Sequence, residues 1–287
     1  VLVNATMDRH ADGTSGAVRI AIFDATERRR YERELVAAKE RAEASEERAR
    51  TLARTLQQTL IPPSLPQVPG LDVAAAYRPA GDGSVVGGDF YDVFDLGEGQ
   101  WIAVLGDVCG KGAEAAVVTA LVRYTVRALA VGNPQPSRLL HQLNEALIHD
   151  VSDRFCTVVV ARLERDGRGW RVELSVGGHP APVMLPADGR AYRLAAAGPL
   201  LGVIDDADYG DHDFYLGPGD TLLLYTDGIT EASGAAGFFG DERLLDVVDS
   251  GFGHGADAVV TRVLDEVLAF QDGVARDDIA LVALSVP

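Results

Sequence analysis

The first quarter of the chain carries a heptad pattern. Apolar or small residues recur at alternating steps of four and three, with charged residues between them: Tyr31, Leu35, Ala38, Ala42, Ser45, Ala49, Leu52 and Leu56. This spacing is typical of a two-stranded coiled coil, whose seam faces a partner helix. We therefore predict a coiled-coil helix over residues 26–61, capped by either Asp24 or Thr26, and a homodimer through residues 31–60. A single solvated helix is the alternative.

Strand patterns precede this helix and a proline-rich segment follows it. Residues 1–25 are predicted to form two strands, the second at Ala17–Phe23, joined by a turn at Ala11–Gly16. Two strands cannot bury a core by themselves, so we expect them to complete a domain that begins upstream, in a longer protein. Proline at position 62 ends the helix, and residues 62–70 are predicted to be a linker.

From residue 71 onward the pattern is that of a globular domain. Apolar runs of strand length predict two hairpins, 90–96 with 101–107 and 155–163 with 170–176, and further strands at 71–78, 182–185, 192–194, 221–225 and 279–286. Helical periodicity predicts helices at 113–131, 136–150, 242–248 and 256–270. Because hairpins and helices are grouped rather than strictly alternating, residues 71–287 are predicted to form an α+β layered domain.

The composition limits the partners. The 287 residues carry a net charge of −17, and an acidic chain is a poor ligand for nucleic acid or for an anionic membrane. The longest apolar stretch, residues 117–131, is interrupted by Arg123 and Arg127, which makes it unsuitable as a membrane span. The chain has only two cysteines and no signal-peptide pattern. We therefore expect a cytoplasmic protein with no nucleic acid and no membrane partner.

Four short motifs place aspartate beside glycine or a second acid at the edge of an apolar run. They are Gly87–Asp92, Gly106–Gly112, Tyr225–Gly228 and Arg276–Ile279. If these strand ends meet at one rim, two carboxylates about 4 Å apart repel by roughly 4 kcal/mol at an effective dielectric of 20. Divalent cations relieve such repulsion, and oxygen-only ligands favour magnesium, manganese or calcium over zinc or copper. The alternative is that each Asp-Gly pair marks an ordinary turn.

These motifs and others resemble a known family. The matching segments are GGDFYD from residue 87, GDVCGKGAEAA from 106, GGHPAP from 177, GPLLGV from 198, YTDGITEA from 225 and DDIALVAL from 277. Over roughly residues 64–287 they are similar in order and spacing to the bacterial stage II sporulation E-type serine/threonine phosphatases, in the metal-dependent type 2C superfamily. The resemblance implies an αββα sandwich of two antiparallel sheets flanked by helices. A shorter resemblance around Glu27-Arg28-Arg29 to the exit of a PAS sensor domain implies that residues 1–25 are PAS strands.

The resemblance also implies the site residues. It makes four aspartates the catalytic metal ligands for two Mn²⁺ or Mg²⁺ ions: Asp89, Asp107, Asp227 and Asp277. Asp107 would bridge both ions, and the Val108 carbonyl would be a further ligand. A shift of one residue in the last motif would make Asp278 the ligand instead of Asp277.

Other residues near the motifs have more than one interpretation. Asp92 is expected either to support the ligands from behind or to be a helix-side partner, rather than to be a ligand itself. Cys109 stands where the family commonly has serine, and Ala280 where threonine is common, but neither change removes a ligand. Lys111 either contacts the substrate phosphate or only solvates a helix start, and His179 either contacts substrate or is a loop histidine held by the backbone.

The implied activity is hydrolysis of phosphoserine or phosphothreonine by a water activated between two ions, without a covalent enzyme intermediate. The implied substrate is a phosphorylated anti-anti-sigma (STAS) protein, with activity regulated by the upstream sensor. One alternative is a catalytically weak sensor–coiled-coil scaffold that binds a partner-switching protein; the complete set of carboxylates argues against it. A nucleotide hydrolase is less favoured because no GxxxxGK[ST] phosphate loop occurs.

Overall fold

The computed structural model describes residues 2–9, 15–24, 26–81, 86–149, 154–235, 237–250 and 255–287. The chain divides into two compact units, residues 1–50 and residues 51–287. Each unit has its own organisation and is described by itself.

The first unit begins with a two-stranded hairpin. Strands β1 (Leu2–Arg9) and β2 (Ser15–Phe23) pair antiparallel. Their exposed apolar side chains are Val3, Met7, Val18, Ile20 and Ile22. Such exposure is expected of two strands that have no core of their own. The predicted turn at residues 11–16 lies largely outside the described residues, and the PAS assignment stays a prediction.

Helix α1 runs from Thr26 to Leu60. Asp24 Oδ1 accepts hydrogen bonds from the backbone N–H of Thr26 (2.9 Å) and from its hydroxyl (2.6 Å), so Asp24 is the residue that caps the helix. On the predicted seam, Tyr31 and Leu35 are 68% and 60% exposed in the single chain, which leaves them available to a partner helix. The side chains of Ala49, Leu52 and Leu56 lie outside the description, and the coiled-coil dimer stays a prediction.

Among its described residues, the second unit contains two five-stranded sheets and a small hairpin. In chain order its strands are β3 (Asp72–Arg78), β4 (Asp89–Gly97), β5 (Gln100–Val108), β6 (Cys156–Asp166), β7 (Gly169–Gly177), β8 (Val183–Leu185), β9 (Tyr192–Arg193), β10 (His212–Leu216), β11 (Thr221–Tyr225), β12 (Ser233–Gly234), β13 (Gly237–Phe238) and β14 (Ile279–Ser285). One sheet has the order β10-β7-β6-β5-β4 and the other β3-β14-β11-β8-β9. All neighbouring strands in both sheets are antiparallel.

In the described part of this unit, five helices follow the end of α1. They are α2 (Ala113–Gly132), α3 (Pro136–Ile148), α4 (Asp227–Thr230), α5 (Gly240–Asp249) and α6 (Gly255–Phe270). Helices α2 and α3 pack on the first sheet, and α5 and α6 pack on the second. Between the sheets lies an apolar core that includes Leu105, Trp170 and Leu222. The predicted αββα sandwich is therefore confirmed, because alternating apolar residues on each strand face either the other sheet or a helix layer.

The element bounds differ from the prediction in a few places. Strand β10, helix α4 and the hairpin β12–β13 were not expected from the pattern. Helix α3 ends at Ile148, before the predicted end at Asp150, which itself lies outside the described residues.

Helix α2 is the one helix in the described ranges whose length and composition would allow it to cross a membrane. Its buried face carries Val118, Val122 and Val126, which pack with apolar residues of β4 and β5. Arg123 on the same helix pairs with an acid of β4. Helix α2 therefore packs on the outer face of the sheet that contains β4 and β5.

Candidate active site

The four predicted ligand aspartates lie at one edge of the sandwich. Asp89 starts β4, and Asp107 stands directly opposite it near the end of β5. Thr226 follows β11 of the other sheet and donates its hydroxyl to Asp89 Oδ2 at 2.7 Å, which brings the next residue, Asp227, close to the first sheet. Asp277 comes just before β14, the neighbour of β11. Sequence reasoning missed Thr226, whose role depends on the packing of two sheets rather than on a local motif.

A close approach of two backbone segments shapes this edge. Gly88 lies so near the Val108 carbonyl and the Asp107 carboxylate that a Cβ at Gly88 would overlap both. The N–H of Val108 donates to the Gly88 carbonyl at 3.2 Å. Glycine is required here for space, and it lets the Val108 carbonyl and the Asp107 carboxylate share one edge.

The environment of these acids disfavours negative charge. Burial, followed by repulsion from Asp227 and Asp277, raises the pKa of Asp107 to about 7. Burial also raises the pKa of Asp89 well above its usual range, with the charge of Asp107 as the next cause, and burial raises the pKa of Asp227. A hydrogen bond between the side chains of Asp89 and Asp107 partly opposes the rise in the pKa of Asp107. A nearby cation would favour the ionised forms.

The groups at this edge suit a hard divalent cation. Within the described ranges, no three His, Cys, Asp or Glu side chains are gathered closely enough to hold a metal ion as they stand, so ligation requires side-chain adjustment. The available groups are carboxylate and carbonyl oxygens, which magnesium and manganese prefer. Burial first, and repulsion between the acids second, raise the pKa values of Asp89 and Asp107, and a bound cation would favour the ionised forms of both. The residues present therefore fit a divalent metal centre.

Two basic side chains border the acids. Lys111 Nζ lies 2.8 Å from Asp277 Oδ1, and this hydrogen bond raises the pKa of Lys111. Arg154 donates to the Cys109 carbonyl at 2.6 Å and to Glu114 at 2.9 Å, which holds the loop between β5 and α2. No motif marks Arg154 in the sequence, because only the pairing of β5 with β6 brings it to this loop.

The structure does not support His179 as a substrate contact. The residue is 6% exposed, and its Nδ1 lies 2.8 Å from the hydroxyl of Thr157. Burial lowers the pKa of His179 to about 3, so the imidazole is neutral at physiological pH. A buried, neutral ring does not reach a phosphate carried by another protein, and the structure favours the alternative of a loop histidine with a structural role.

Asp92 is the partner of helix α2. Its side chain is fully buried and accepts hydrogen bonds from Arg123 Nε at 2.9 Å and Arg127 Nε at 2.7 Å. The guanidinium of Arg127 also lies over the Phe94 ring, 4.6 Å from its centroid. As expected, Asp92 therefore fastens β4 to the helix and does not join the four aspartates.

The sandwich and its acidic edge define the class of protein as one with the PP2C phosphatase fold. The SiaA-PP2C domain of Pseudomonas aeruginosa matches with a TM-score of 0.69 at 20% identity, over 88% of this chain and 99% of that one. RsbX in complex with magnesium matches with a TM-score of 0.59 at 13% identity, over 78% of this chain and 99% of that one. At such identities the likeness shows the fold alone.

Sequence comparison gives the family. The sequence model of the Stage II sporulation protein E (SpoIIE) family matches residues 97–287, and the chain belongs to this family. The phosphoserine phosphatase RsbU of Bacillus subtilis (strain 168) is 31% identical over 234 residues, which are 81% of this chain and 68% of RsbU. Protein IcfG of Synechocystis is 28% identical over 265 residues, and the match spans 80% of this chain but 40% of IcfG.

Proposed function

We propose that this protein is a metal-dependent serine/threonine protein phosphatase that acts on phosphoserine or phosphothreonine in a regulatory protein. The observation that carries the proposal is the meeting of acids from four separate chain segments at one edge of the sandwich. Membership of the SpoIIE family and the similarity to RsbU, which is named a phosphoserine phosphatase, support it.

In this proposal the acidic edge holds two Mn²⁺ or Mg²⁺ ions. The groups that would hold these ions are the side chains of Asp89, Asp107, Asp227 and Asp277 and the carbonyl of Val108. RsbX, which has the same fold, is known in complex with magnesium. Bound ions of this kind supply an activated water and neutralise charge on phosphoryl oxygens.

The protein's own residues orient the ligands and the substrate. Thr226 fixes the Asp89 carboxylate through its 2.7 Å hydrogen bond, and such preorganisation avoids rearrangement during the reaction. Lys111 is 47% exposed at the rim, and we assign it to binding the substrate phosphate as a point charge. Arg154 holds the loop that carries Lys111. Burial raises the pKa of the Cys156 thiol, which is unsuitable for a covalent nucleophile.

The substrate we propose is a phosphorylated anti-anti-sigma (STAS) protein in the cytoplasm. The similarity to RsbU, which is named a phosphoserine phosphatase, supports phosphoserine as the target residue, and the STAS class is what the family resemblance implies. We further propose that the phosphatase forms a homodimer through residues 31–60 and that a PAS-like domain upstream regulates it. The acidic surface, with a net charge of −17, suits neither nucleic acid nor an anionic membrane as a partner.

The alternative is a catalytically weak scaffold that binds a partner-switching protein. Hydrolysis of p-nitrophenyl phosphate by the purified protein separates the two functions. We expect turnover with Mn²⁺ or Mg²⁺ that EDTA abolishes and added Mn²⁺ restores. Absence of turnover with either ion, in protein shown to be folded by circular dichroism, would favour the scaffold.

A further inference from the structure

The neighbouring acids Asp277 and Asp278 occupy different environments. The Asp277 side chain is 58% exposed and meets Lys111 at the rim, whereas Asp278 is 5% exposed. Asp278 Oδ1 accepts a hydrogen bond from the N–H of Ala80 at 2.8 Å, and the backbone N–H of Gly88 also donates to this carboxylate. The oxygens of Asp278 are therefore engaged with the backbone that leads into β4.

Two glycines enclose Asp278. A Cβ at Gly87 would overlap the Asp278 carboxylate, and a Cβ at Gly228 would overlap the Asp278 carbonyl oxygen. Neither glycine has a positive φ, so their backbone conformations suit any residue and glycine is needed at both for space. Gly87 lies two residues before Asp89, and Gly228 directly follows Asp227.

Asp278 thus contacts the segments that carry two of the other site acids. Its carboxylate lies against Gly87 and Gly88, next to the start of β4, while its carbonyl lies against the first turn of α4. Carboxylates that accept hydrogen bonds from backbone N–H groups make stronger bonds than neutral acceptors. One buried residue therefore links the start of β4, the start of α4 and the start of β14.

We propose that Asp278 is a positioning residue that holds Asp89 and Asp227 beside Asp277, and that it is not itself a metal ligand. This inference rests on the proposed function, because it concerns the arrangement of the proposed ligands. Groups that orient ligands from behind commonly change metal affinity by about 10- to 100-fold when they are removed.

Amide hydrogen exchange measured by NMR on the metal-free protein tests this role directly. In Asp278→Ala we expect the amides of Ala80 and Gly88 to exchange roughly tenfold faster or more, because each loses a charged acceptor. In Asp277→Asn, the matched control, their exchange should stay at the wild-type rate. If Asp278→Ala does not fold, Asp278→Asn takes its place in the experiment. The asparagine side chain retains the shape and one acceptor oxygen, so one of the two amides should remain protected and the other should exchange faster.

Calorimetric titration with Mn²⁺ gives the second measurement. Asp278→Ala should weaken binding by about tenfold or more while the number of bound ions stays that of the wild type. Loss of one bound ion in Asp278→Ala, with wild-type exchange at Ala80 and Gly88, would make Asp278 a ligand and overturn the proposal.

The glycine at position 87 offers an independent test. Gly87→Ala should weaken Mn²⁺ binding by about tenfold in the wild-type background, because its methyl group meets the Asp278 carboxylate. In the Asp278→Ala background the methyl group has room, and the same change should have less than about a threefold effect. Additive effects of the two substitutions would contradict the packing argument.

The proposed function can fail separately from this inference. If the wild-type protein neither binds Mn²⁺ nor releases phosphate, the phosphatase assignment is wrong. The exchange rates of Ala80 and Gly88 in the metal-free variants still decide whether Asp278 positions this backbone.

Discussion

At the residue scale, Asp107 is a carboxyl group whose burial opposes its negative charge. Burial, Asp227 and Asp277 together raise its pKa to about 7. A carboxylate held in such a place is costly to the fold unless a cation compensates it. In the proposed metal site, function therefore takes precedence over stability at Asp107.

Neutralising these acids should separate activity from folding. We expect Asp107→Asn and Asp227→Asn to lower Mn²⁺-dependent turnover of p-nitrophenyl phosphate by about a hundredfold or more, since the lost charge stabilisation is worth several kcal/mol. Thermal unfolding of the metal-free variants should occur at or above the wild-type temperature, because repulsion is relieved. Turnover above about a tenth of wild type in both variants would refute the assignment of these ligands.

Gly88 is a second position at which the proposed site restricts the choice of residue, here because there is no room for a side chain. The methyl group of Gly88→Ala would overlap the Val108 carbonyl and the Asp107 carboxylate, so we expect roughly a tenfold or greater loss of turnover. Gly132→Ala is the matched control, because a Cβ there meets nothing within 4 Å and should leave turnover unchanged. Equal activity of the two variants would show that the close approach at Gly88 is not needed.

At the scale of elements, the register of β4 and α2 depends on a buried ion cluster. Asp92 is fully buried, and Arg123 and Arg127 both bond to it. In a variant without the Asp92 carboxylate, both guanidinium groups lose the acceptor that they share, and removing one partner of a buried ion pair is strongly destabilising. The helix and strand are therefore fastened at a point three residues after Asp89.

Asp92→Asn should lower the free energy of unfolding by about 3 kcal/mol. Asp166→Asn is the control, because Asp166 is 56% exposed and lies 3.7 Å from Arg171 in a surface ion pair, where the change should be less than about 1 kcal/mol. Urea denaturation followed by circular dichroism measures both values. Similar losses in the two variants would mean that the cluster does not fasten β4 to α2.

Elements with long patterns could be predicted from the sequence, and short ones could not. The β4–β5 hairpin follows from two apolar runs of strand length around Gly97-Glu98-Gly99, and its register pairs Asp89 with Asp107. Strand β10 is a short edge strand with polar residues, and α4 is one turn long, so neither shows a clear period. The roles of Thr226 and Asp278 depend on contacts between distant segments, which no local pattern encodes.

At the scale of the whole molecule, α1 is the covalent route into the phosphatase domain. Leu60, its last residue, is buried with Val86 and Ala116, and the N–H of Gly112 donates to the Val86 carbonyl at 2.7 Å. The end of α1 therefore contacts residues that lie two positions before Gly88 and five positions after Lys111 in the sequence. The predicted seam is rich in alanine, so it is weakly specified and suited to repacking between registers.

We predict that α1 dimerises in one activity state and biases the phosphatase through its rotation. The double substitution Leu52→Asp and Leu56→Asp should weaken dimerisation and uncouple activity from the upstream signal, because charge is disfavoured in a coiled-coil seam. Inserting four residues near Ala49 should change basal turnover by rotating the downstream seam. Sedimentation that shows the same monomer for wild type and variants, together with unchanged turnover after the insertion, would contradict this coupling.

Phosphate release from a phosphoserine-containing STAS protein tests the central claim most directly. The measurement compares wild type and Asp107→Asn with Mn²⁺, Mg²⁺, Zn²⁺ or EDTA. We predict release by the wild type with Mn²⁺ or Mg²⁺, no requirement for Zn²⁺, and loss of release with EDTA or in the variant. Release that persists in EDTA and in Asp107→Asn, or that occurs only with Zn²⁺, would contradict a metal-dependent phosphatase built on these aspartates.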